Sequence, residues 1–296
     1  MEATRPAAIL VPIMAVSAAM MSFQLGAALA KGLFPAIGPE GAATLRLGLG
    51  ALMLLAIARP WRNWPRYAPI LPMLGLGLSM ASVILFFYLA IDRLPLGIVI
   101  SIQFLGPLAI AVAGSRRASH LLWAVLAAVG IACLVGDGGF TLDLDPIGIA
   151  WALAAATGWA SYILCGRAAS SAFGSSTAAL SVSLAALLIL PVGIGHAGLS
   201  LVDPAILPLA LLVALFSTAI PFSLELFAMP RIPARSFAVF TSLEPAFGVL
   251  SGLFILNEAL STAQIVGVGI VICAAAGAAW SSTEEAGAVH PDVPPT

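Results

Sequence analysis

Residues 231–258 read RIPARSFAVFTSLEPAFGVLSGLFILNE, and this stretch decides how the rest of the chain is interpreted. It is long and apolar enough to cross a bilayer, yet a carboxylate, Glu244, stands in its middle directly before Pro245. An ionisable side chain at that depth costs at least ~2.5–3.5 kcal/mol on insertion scales, so it indicates a functional site. Pro245 has no backbone N–H, which leaves the carbonyl of Thr241 free for another partner.

A second stretch of the same kind, LPLGIVISIQFLGPL, occupies residues 94–108. An ungapped alignment of the two halves at an offset of 138 residues matches an arginine and two prolines in each copy: Arg93 with Arg231, Pro95 with Pro233, and Pro107 with Pro245. Alanine and leucine matches are expected by chance in so apolar a chain, but these are more selective. The halves are therefore interpreted as repeats, each with one broken helix.

The composition indicates an integral membrane protein. Of the 296 residues, 61% are hydrophobic and 8% are charged, with a mean hydropathy of +1.10, whereas soluble domains carry roughly 25% charged residues. The sequence contains no phosphate-binding Gly-rich loop, no metal-ligand spacing and no nucleophile motif. We therefore expect no enzyme activity, no cofactor, no metal site and no nucleic-acid partner.

Apolar runs of about 17–25 residues, the length of a transmembrane helix, alternate with short charged or Pro/Gly breaks. They predict an all-α integral membrane fold with ten transmembrane helices, at 9–30, 41–58, 69–91, 95–114, 119–136, 146–165, 175–195, 205–228, 233–255 and 262–280. Five helices form each of two repeats, 7–136 and 146–280. The polar segment 281–296 is expected to be a disordered cytoplasmic tail.

The distribution of basic residues predicts the orientation. With a cytoplasmic N-terminus, the cytoplasmic segments carry most of them: Arg5, Arg59, Arg62, Arg66, Arg116, Arg117, Arg167, Arg231 and Arg235. The opposite face carries Lys31 and Arg93, in agreement with the positive-inside rule. An even number of helices returns the C-terminus to the same side, so both termini are expected in the cytoplasm.

Two repeats with an odd number of helices each must run through the membrane in opposite directions. Inverted repeats with interrupted helices in matching places are typical of secondary transporters that bind substrate near the midplane. We therefore expect a cavity between the repeats, lined by helices 3, 4, 8 and 9 with contributions from helices 1, 2 and 6, and Pro107 and Pro245 as matching hinges.

Two carboxylates are candidates for proton coupling. Glu244 could bind a substrate ammonium group or take up a proton, and the structural alternative is a hydrogen bond to a neighbouring helix. Glu225, one turn after Pro221, is the second candidate, and it could instead pair with a cytoplasmic arginine.

Three further polar residues are candidates for substrate binding. Gln103 and Thr241 occupy matching positions of the two broken helices, where each could bind a polar ligand or join two helices by a hydrogen bond. Arg46 could bind a substrate carboxylate or pair with Glu244 or Glu225. It could also extend to the outer boundary, as long basic side chains do.

The remaining candidates lie at the ends of helices or are aromatic. Tyr88 and Trp159 could line the cavity, although aromatic residues in spans more often serve packing. Gln24 and Lys31 mark the outer end of the first helix, and Lys31 is expected in interfacial water. Glu258 is interpreted as a boundary residue.

The sequence resembles the EamA-type drug/metabolite transporters, and in particular the bacterial threonine/homoserine exporters. The resemblance covers nearly the whole chain and rests on five stretches: GAALAKGLFPAIGPEGAATLRLGLG (26–50), FYLAIDRLPLGI (87–98), FLGPLAIAV (104–112), STAIPFSLELFAMPRIPARSF (217–237) and SLEPAFGVLSGLFILNEAL (242–260). The chain departs from the resemblance at Asn257, where the family often has glycine, and at Gln103, where the close exporters tend to carry glutamate.

The resemblance implies a secondary carrier, a monomer or homodimer, that exports small amino acids across the bacterial inner membrane by alternating access with proton coupling. Its partners would be a small-molecule substrate and membrane lipids. The residues leave other functions open: a carrier for aromatic amino acids, nucleosides or amphiphilic drugs, a passive channel, or a structural membrane subunit.

Overall fold

The structure is a computed structural model that describes residues 6–62, 70–113, 118–135, 144–228 and 244–288. Within these ranges the regular structure is helical and no strand occurs. The α-helices, numbered in chain order, are α1 (Pro6–Lys31), α2 (Phe34–Ala58), α3 (Ile70–Ile91), α4 (Leu96–Gln103), α5 (Leu105–Ala113), α6 (Ala118–Val135), α7 (Pro146–Phe173), α8 (Thr177–Ala197), α9 (Leu207–Ala214), α10 (Ile220–Ala228), α11 (Glu244–Ile255) and α12 (Thr262–Ala288).

Many of these helices can cross a membrane. Five stretches of the described chain are long and apolar enough: Val11–Lys31, Phe34–Ala58, Ile70–Ile91, Pro146–Val202, which contains α7 and α8, and Leu207–Glu225. Shorter apolar stretches occupy Leu96–Ile110, which spans α4 and most of α5, Glu244–Ile255 and Thr262–Gly277. The predicted all-α fold with several membrane-spanning helices is confirmed. The count of ten and the inverted repeat stay predictions, since residues 229–243 lie outside the described ranges.

The expected break in the fourth predicted helix is present. α4 ends at Gln103, Phe104 forms a turn, and α5 begins at Leu105, so the interruption comes shortly before Pro107. Because proline has no N–H, the helical bond from position 107 to the carbonyl of Gln103 cannot form. The matching break before Pro245 lies outside the described residues.

A π turn, which the sequence analysis does not predict, separates α9 from α10. It spans Leu215–Ala219, and the N–H of Ile220 donates to the carbonyl of Leu215, five residues back. The carbonyl of Phe216 thereby loses its helical donor, and Ser217 loses its own because the residue four positions on is Pro221. Both carbonyls accept hydrogen bonds from side chains of other helices, as buried backbone groups generally must.

The packing brings helices from the two halves of the chain together. α3 packs against α7 and α8, α1 packs against α9, α10 and α11, and α6 packs against α12. The broken helix of the first half also meets the second half, because α4 packs against α11. A Cβ on Gly97 would collide with Val249, and one on Gly248 would collide with Ile100, so these glycines set the close approach.

The C-terminal segment differs from the prediction. α12 continues to Ala288, so residues 281–288 are helical rather than disordered. A helical end costs little when the preceding turns are already formed, and polarity alone does not stop it. Residues 289–296 lie outside the described part of the chain.

Candidate functional site

A cavity of about 360 Å³ lies among α1, α2, α3, α4, α7, α10 and α11. Most of its wall is aliphatic or aromatic. The polar side chains on the wall are Gln24, Arg46, Gln103, Tyr162, Glu225 and Glu244. A largely apolar cavity with a few converging polar groups is typical of a small-molecule site. The structure thus brings together four of the predicted polar candidates, from positions far apart in the sequence.

Arg46 is held at the cavity wall by the irregular part of the α9–α10 helix. Its Nη2 donates to the carbonyl of Ser217 at 3.0 Å, and its Nη1 lies 3.5 Å from the hydroxyl of Tyr88. The side chain is buried, so the alternative in which it extends to the outer boundary is wrong. Among the described residues, Arg46 forms no ion pair with Glu244 or Glu225, and its Nε is buried without a hydrogen-bond acceptor.

The carbonyl that Arg46 binds is available because of the local sequence. Pro221 removes the helical donor to Ser217, and the neighbouring carbonyl of Phe216 accepts the hydroxyl of Ser22 at 2.6 Å. Gly26 permits this approach of α1, since a Cβ there would collide with Ser217. The π turn is therefore fixed by α1 on one side and by α2 on the other.

Glu244 lines the cavity at the beginning of the described part of α11. Its Oε1 accepts a hydrogen bond of 3.1 Å from Nε2 of Gln24, which lies on α1. The predicted structural alternative for Glu244, a bond to a neighbouring helix, is thus present, while the same carboxylate also faces the cavity.

Glu225 lines the same cavity from α10, and Tyr162 lines it from α7. Two acidic groups and one basic group therefore share one apolar space. Such a set can neutralise both ends of a zwitterion and still leave one carboxylate to carry a proton.

Two aromatic pairs form part of the cavity wall. Phe104 meets Trp159 edge-on with ring centroids 5.3 Å apart, and Phe23 meets Phe222 in the same manner at 5.6 Å. Trp159 therefore lies on the wall, as the sequence analysis allowed. Edge-to-face pairs of this kind are favourable beyond the area that they bury.

Gln103 and Pro107 both line the cavity at the break between α4 and α5. Between them stands Gly106, and a Cβ at this position would collide with the carbonyl oxygen of Ala156 on α7. The first broken helix therefore cannot carry a counterpart of Glu244 at the matching position. The charge asymmetry of the two broken helices follows from this close approach.

The other predicted site residues lie away from the wall or outside the described chain. Tyr88 is fully buried behind Arg46, with its ring centroid 5.5 Å from the guanidinium carbon, so it contacts the cavity through Arg46. Pro245 is buried within α11. Thr241 lies outside the described residues.

Lys31, which is expected in interfacial water, is partly exposed and also forms an ion pair. Lys31 Nζ lies 2.8 Å from Glu258 Oε1, and the other oxygen of Glu258 accepts the N–H of Leu96 at 2.8 Å. Glu258 is therefore a contact between α1, the beginning of α4 and the turn before α12, rather than a simple boundary residue.

Three residues of the site were not predicted to bind substrate. Gln24 was interpreted only as marking the outer end of the first helix, and Tyr162 and Ser217 were not singled out. Gln24 and Tyr162 occupy matching positions when the halves are aligned at the offset of 138, and both line the cavity. Polarity at matching positions was the signal that could have found them. For Ser217 the signal was Pro221, four residues later, because a proline cannot donate to the carbonyl of Ser217 and leaves it free for another donor.

Three comparisons place the chain among known proteins. The EamA-like transporter family matches residues 146–280. The threonine/homoserine exporter RhtA of Salmonella typhimurium (strain SL1344) is 41% identical over 282 residues, which cover 95% of this chain and 96% of that protein. The RhtA of Escherichia coli (strain K12) is 41% identical over 274 residues, 93% of each chain.

The fold also matches a crystal structure of 21% sequence identity with a TM-score of 0.60, over 95% of this chain and 99% of that chain. This likeness concerns the fold, whereas the sequence identity to RhtA over nearly the full length concerns the family. The chain belongs to the EamA-like transporter family.

Proposed function

We propose that the chain is a secondary carrier that exports small amino acids such as threonine and homoserine across the bacterial inner membrane. One observation carries the proposal: a single cavity contains a basic group, Arg46, and two acidic groups, Glu244 and Glu225. This charge pattern suits an amino acid together with a proton. The relatives named threonine/homoserine exporters support the substrate class.

In this proposal the substrate ammonium group binds Glu244 and the substrate carboxylate binds Arg46. The buried Nε of Arg46 has no acceptor among the described residues and is a donor that a carboxylate could use. Gln103 supplies an amide at the helix break, where it can donate and accept. Glu225 or Glu244 takes up the proton that drives export.

We further propose that the ten helices form two inverted repeats that rock about this cavity in alternating access. The contacts of matching helices support this, because each of them packs against helices of the opposite half and these partners also match one another. α1 packs against α9–α10 and α11, and its counterpart α7 packs against α3 and α4–α5, which are the counterparts of those helices. Packing of this kind is expected for two repeats related by a pseudo-two-fold axis.

The orientation follows from the charges, with both termini in the cytoplasm. Arg59 and Arg62 follow the end of α2, while Lys31 and Arg93 lie near the opposite ends of neighbouring helices. The bias of arginine towards one face supports a cytoplasmic location for that face.

Counterflow in proteoliposomes tests the substrate. Vesicles preloaded with unlabelled threonine should accumulate labelled threonine from outside, because a carrier exchanges its own substrate. A channel would give flux without counterflow, and a structural subunit would give neither result.

Substrate-dependent proton flux tests the coupling. Glu244→Gln keeps the shape of the side chain but cannot ionise, so it should abolish proton movement driven by threonine. Full proton flux in this variant would contradict the role of Glu244, and Glu225→Gln then tests the second candidate.

A second substrate class, aromatic amino acids, is favoured by one observation. Phe23, Phe222, Phe104 and Trp159 form two ring pairs on the wall, and an aromatic substrate could pack against them. Counterflow with labelled phenylalanine beside threonine separates the two classes, since only a true substrate exchanges.

A further inference from the structure

Gln24 has one hydrogen-bonded end and one unsatisfied end. The side chain is 2% exposed, and its Nε2 donates to Glu244 across the contact between α1 and α11. Its Oε1 is buried and accepts no hydrogen bond from any described residue. Buried acceptors in native proteins are nearly always satisfied, so an exception on a cavity wall points to a donor that the ligand supplies.

The amide of Gln24 can respond to the proton of Glu244. A carboxylate accepts hydrogen bonds only, so ionised Glu244 requires the NH₂ group of Gln24 to face it and leaves Oε1 facing away. Protonated Glu244 has an O–H that can donate to Oε1. A half-turn of the amide then satisfies this O–H and leaves the NH₂ group facing away from Glu244.

We propose that Gln24 is a second ammonium-binding residue, whose acceptor is available to substrate only while Glu244 is ionised. This inference rests on the proposed export function. With Glu244 ionised, the substrate ammonium group donates both to the carboxylate and to Oε1 of Gln24. Protonation of Glu244 removes the negative charge and exchanges the amide acceptor for a donor, so both contacts are lost together.

This linkage makes proton and substrate mutually exclusive at one place. A carrier that exchanges a proton for an amino acid needs such exclusion, because binding both at once would allow uncoupled transport. The amide strengthens the exclusion beyond what a lone carboxylate provides, since it changes from attracting to repelling an ammonium group.

Other charged or titratable groups face the same cavity from the helices around it. They are Glu225 on α10, Arg46 on α2 and Tyr162 on α7. Of the described residues, Glu244 is the hydrogen-bond partner of the Gln24 amide, whereas Arg46 is bound to Ser217 and Tyr88. Glu225 is a second carboxyl group in this cavity, so the test is made in a Glu225→Gln background as well.

The first measurement is binding of labelled threonine to the purified full-length protein across a pH series. Gln24→Met keeps the length of the side chain without an amide, and Met21→Leu, on the exposed face of α1 away from the cavity, is the matched control. At high pH Gln24→Met should weaken binding roughly tenfold, the size expected for a hydrogen bond to a charged group. At low pH the loss of threonine affinity should be smaller, so the affinity of Gln24→Met should depend less on pH than that of the wild type. An equal loss at every pH, or none, would overturn the proposal.

The second measurement needs no substrate. Infrared difference spectra on acidification should contain a carboxyl C=O band that disappears in Glu244→Gln. In Gln24→Met this band should shift, because the protonated carboxyl loses its acceptor. A band at unchanged frequency would overturn the proposal. If the wild-type protein does not bind threonine, the proposed substrate is wrong, and the infrared result still decides the role of Gln24.

Discussion

Lys31 and Glu258 form an ion pair of 2.8 Å that joins the end of α1 to the turn before α12. The second oxygen of Glu258 accepts the N–H of Leu96, the first residue of α4. An acid at a helix N-terminus also interacts favourably with the helix dipole. One carboxylate thus connects α1 and the broken helix α4 with the second half of the chain. In the alternating-access proposal, this contact must break when the face that it closes opens.

Substituting Glu258 should separate its two roles. Glu258→Gln keeps an oxygen for the N–H of Leu96 and loses the ion pair, which is partly exposed and contributes at most about 1 kcal/mol. Glu258→Ala also leaves that N–H without its acceptor and should cost about 1–2 kcal/mol more. Thermal unfolding in lipid nanodiscs measures the loss of stability in each of the two variants. Equal losses in the two variants would show that the N–H bond contributes nothing.

Reversing the ion pair gives an independent check. The double variant Lys31→Glu with Glu258→Lys restores opposite charges, but it places an ammonium group beside the N–H donors that begin α4. We expect no recovery relative to Glu258→Ala, because a lysine cannot accept the N–H of Leu96. Recovery of thermal stability would mean that charge attraction alone explains the contact.

Gly106 should tolerate no side chain. The added methyl group of Gly106→Ala would meet the carbonyl oxygen of Ala156, so α5 and α7 must separate, at a cost of about 1–3 kcal/mol. Gly48→Ala on α2 is the matched control, since its Cβ meets no atom within 4 Å. The unfolding temperature and the rate of threonine counterflow should both fall in Gly106→Ala and stay near the wild-type values in Gly48→Ala. A wild-type unfolding temperature for Gly106→Ala would contradict the close approach of α5 and α7.

Gly106 also shows what the sequence could and could not predict. Aligning the halves matches Pro107 with Pro245 and shows that the acid, Glu244, has no counterpart. The reason for the difference is a contact with α7, about fifty positions away in the chain, and no local pattern contains it. Hydropathy and proline positions therefore predicted the helices and one break, whereas the identity of residues between them depends on tertiary packing.

Arg46 should not be replaceable by lysine. Its planar guanidinium donates to Ser217 while another nitrogen lies near Tyr88, and a lysine ammonium group cannot reach both. Arg46→Lys should leave a buried carbonyl weakly satisfied, destabilising the protein by about 1–3 kcal/mol. Threonine counterflow should fall with it. Arg59→Lys is the control, because Arg59 is exposed and bonds to a carbonyl of its own helix.

The outcome at Arg46 illustrates a second limit of sequence reasoning. The sequence left three roles open for Arg46: binding a substrate carboxylate, pairing with an acidic residue, or extending to the membrane boundary. The structure excludes the last, and its actual partner is the carbonyl of Ser217. Applying to Pro221 the argument used for Pro107 and Pro245 would have identified that carbonyl as free. Its distance from Arg46 could not have been found without the packing of α2 against the π turn.

Asp145, which lies outside the membrane-spanning helices, gives a prediction for the pH dependence of stability. It caps the N-terminus of α7, where its Oδ1 accepts the N–H of Ile147 at 2.9 Å and its Oδ2 lies 2.6 Å from Arg93. The bond from Arg93, with the N–H of Ile147, lowers the pKa of Asp145 below its ordinary value of 3.8. A carboxyl whose pKa is lowered on folding stabilises the protein above its unfolded pKa and loses that effect as the pH falls through the folded value.

The stabilising effect of Asp145 should therefore be constant at neutral and mildly acidic pH and should disappear below pH 3.8. Asp145→Asn keeps the cap, since asparagine also accepts at this position, but loses the ion pair with Arg93. The difference in melting temperature between wild type and this variant should shrink as the pH falls below that value. In an Arg93→Met background the same substitution should show a much smaller pH dependence. A difference that grows on acidification would contradict the sign of the shift.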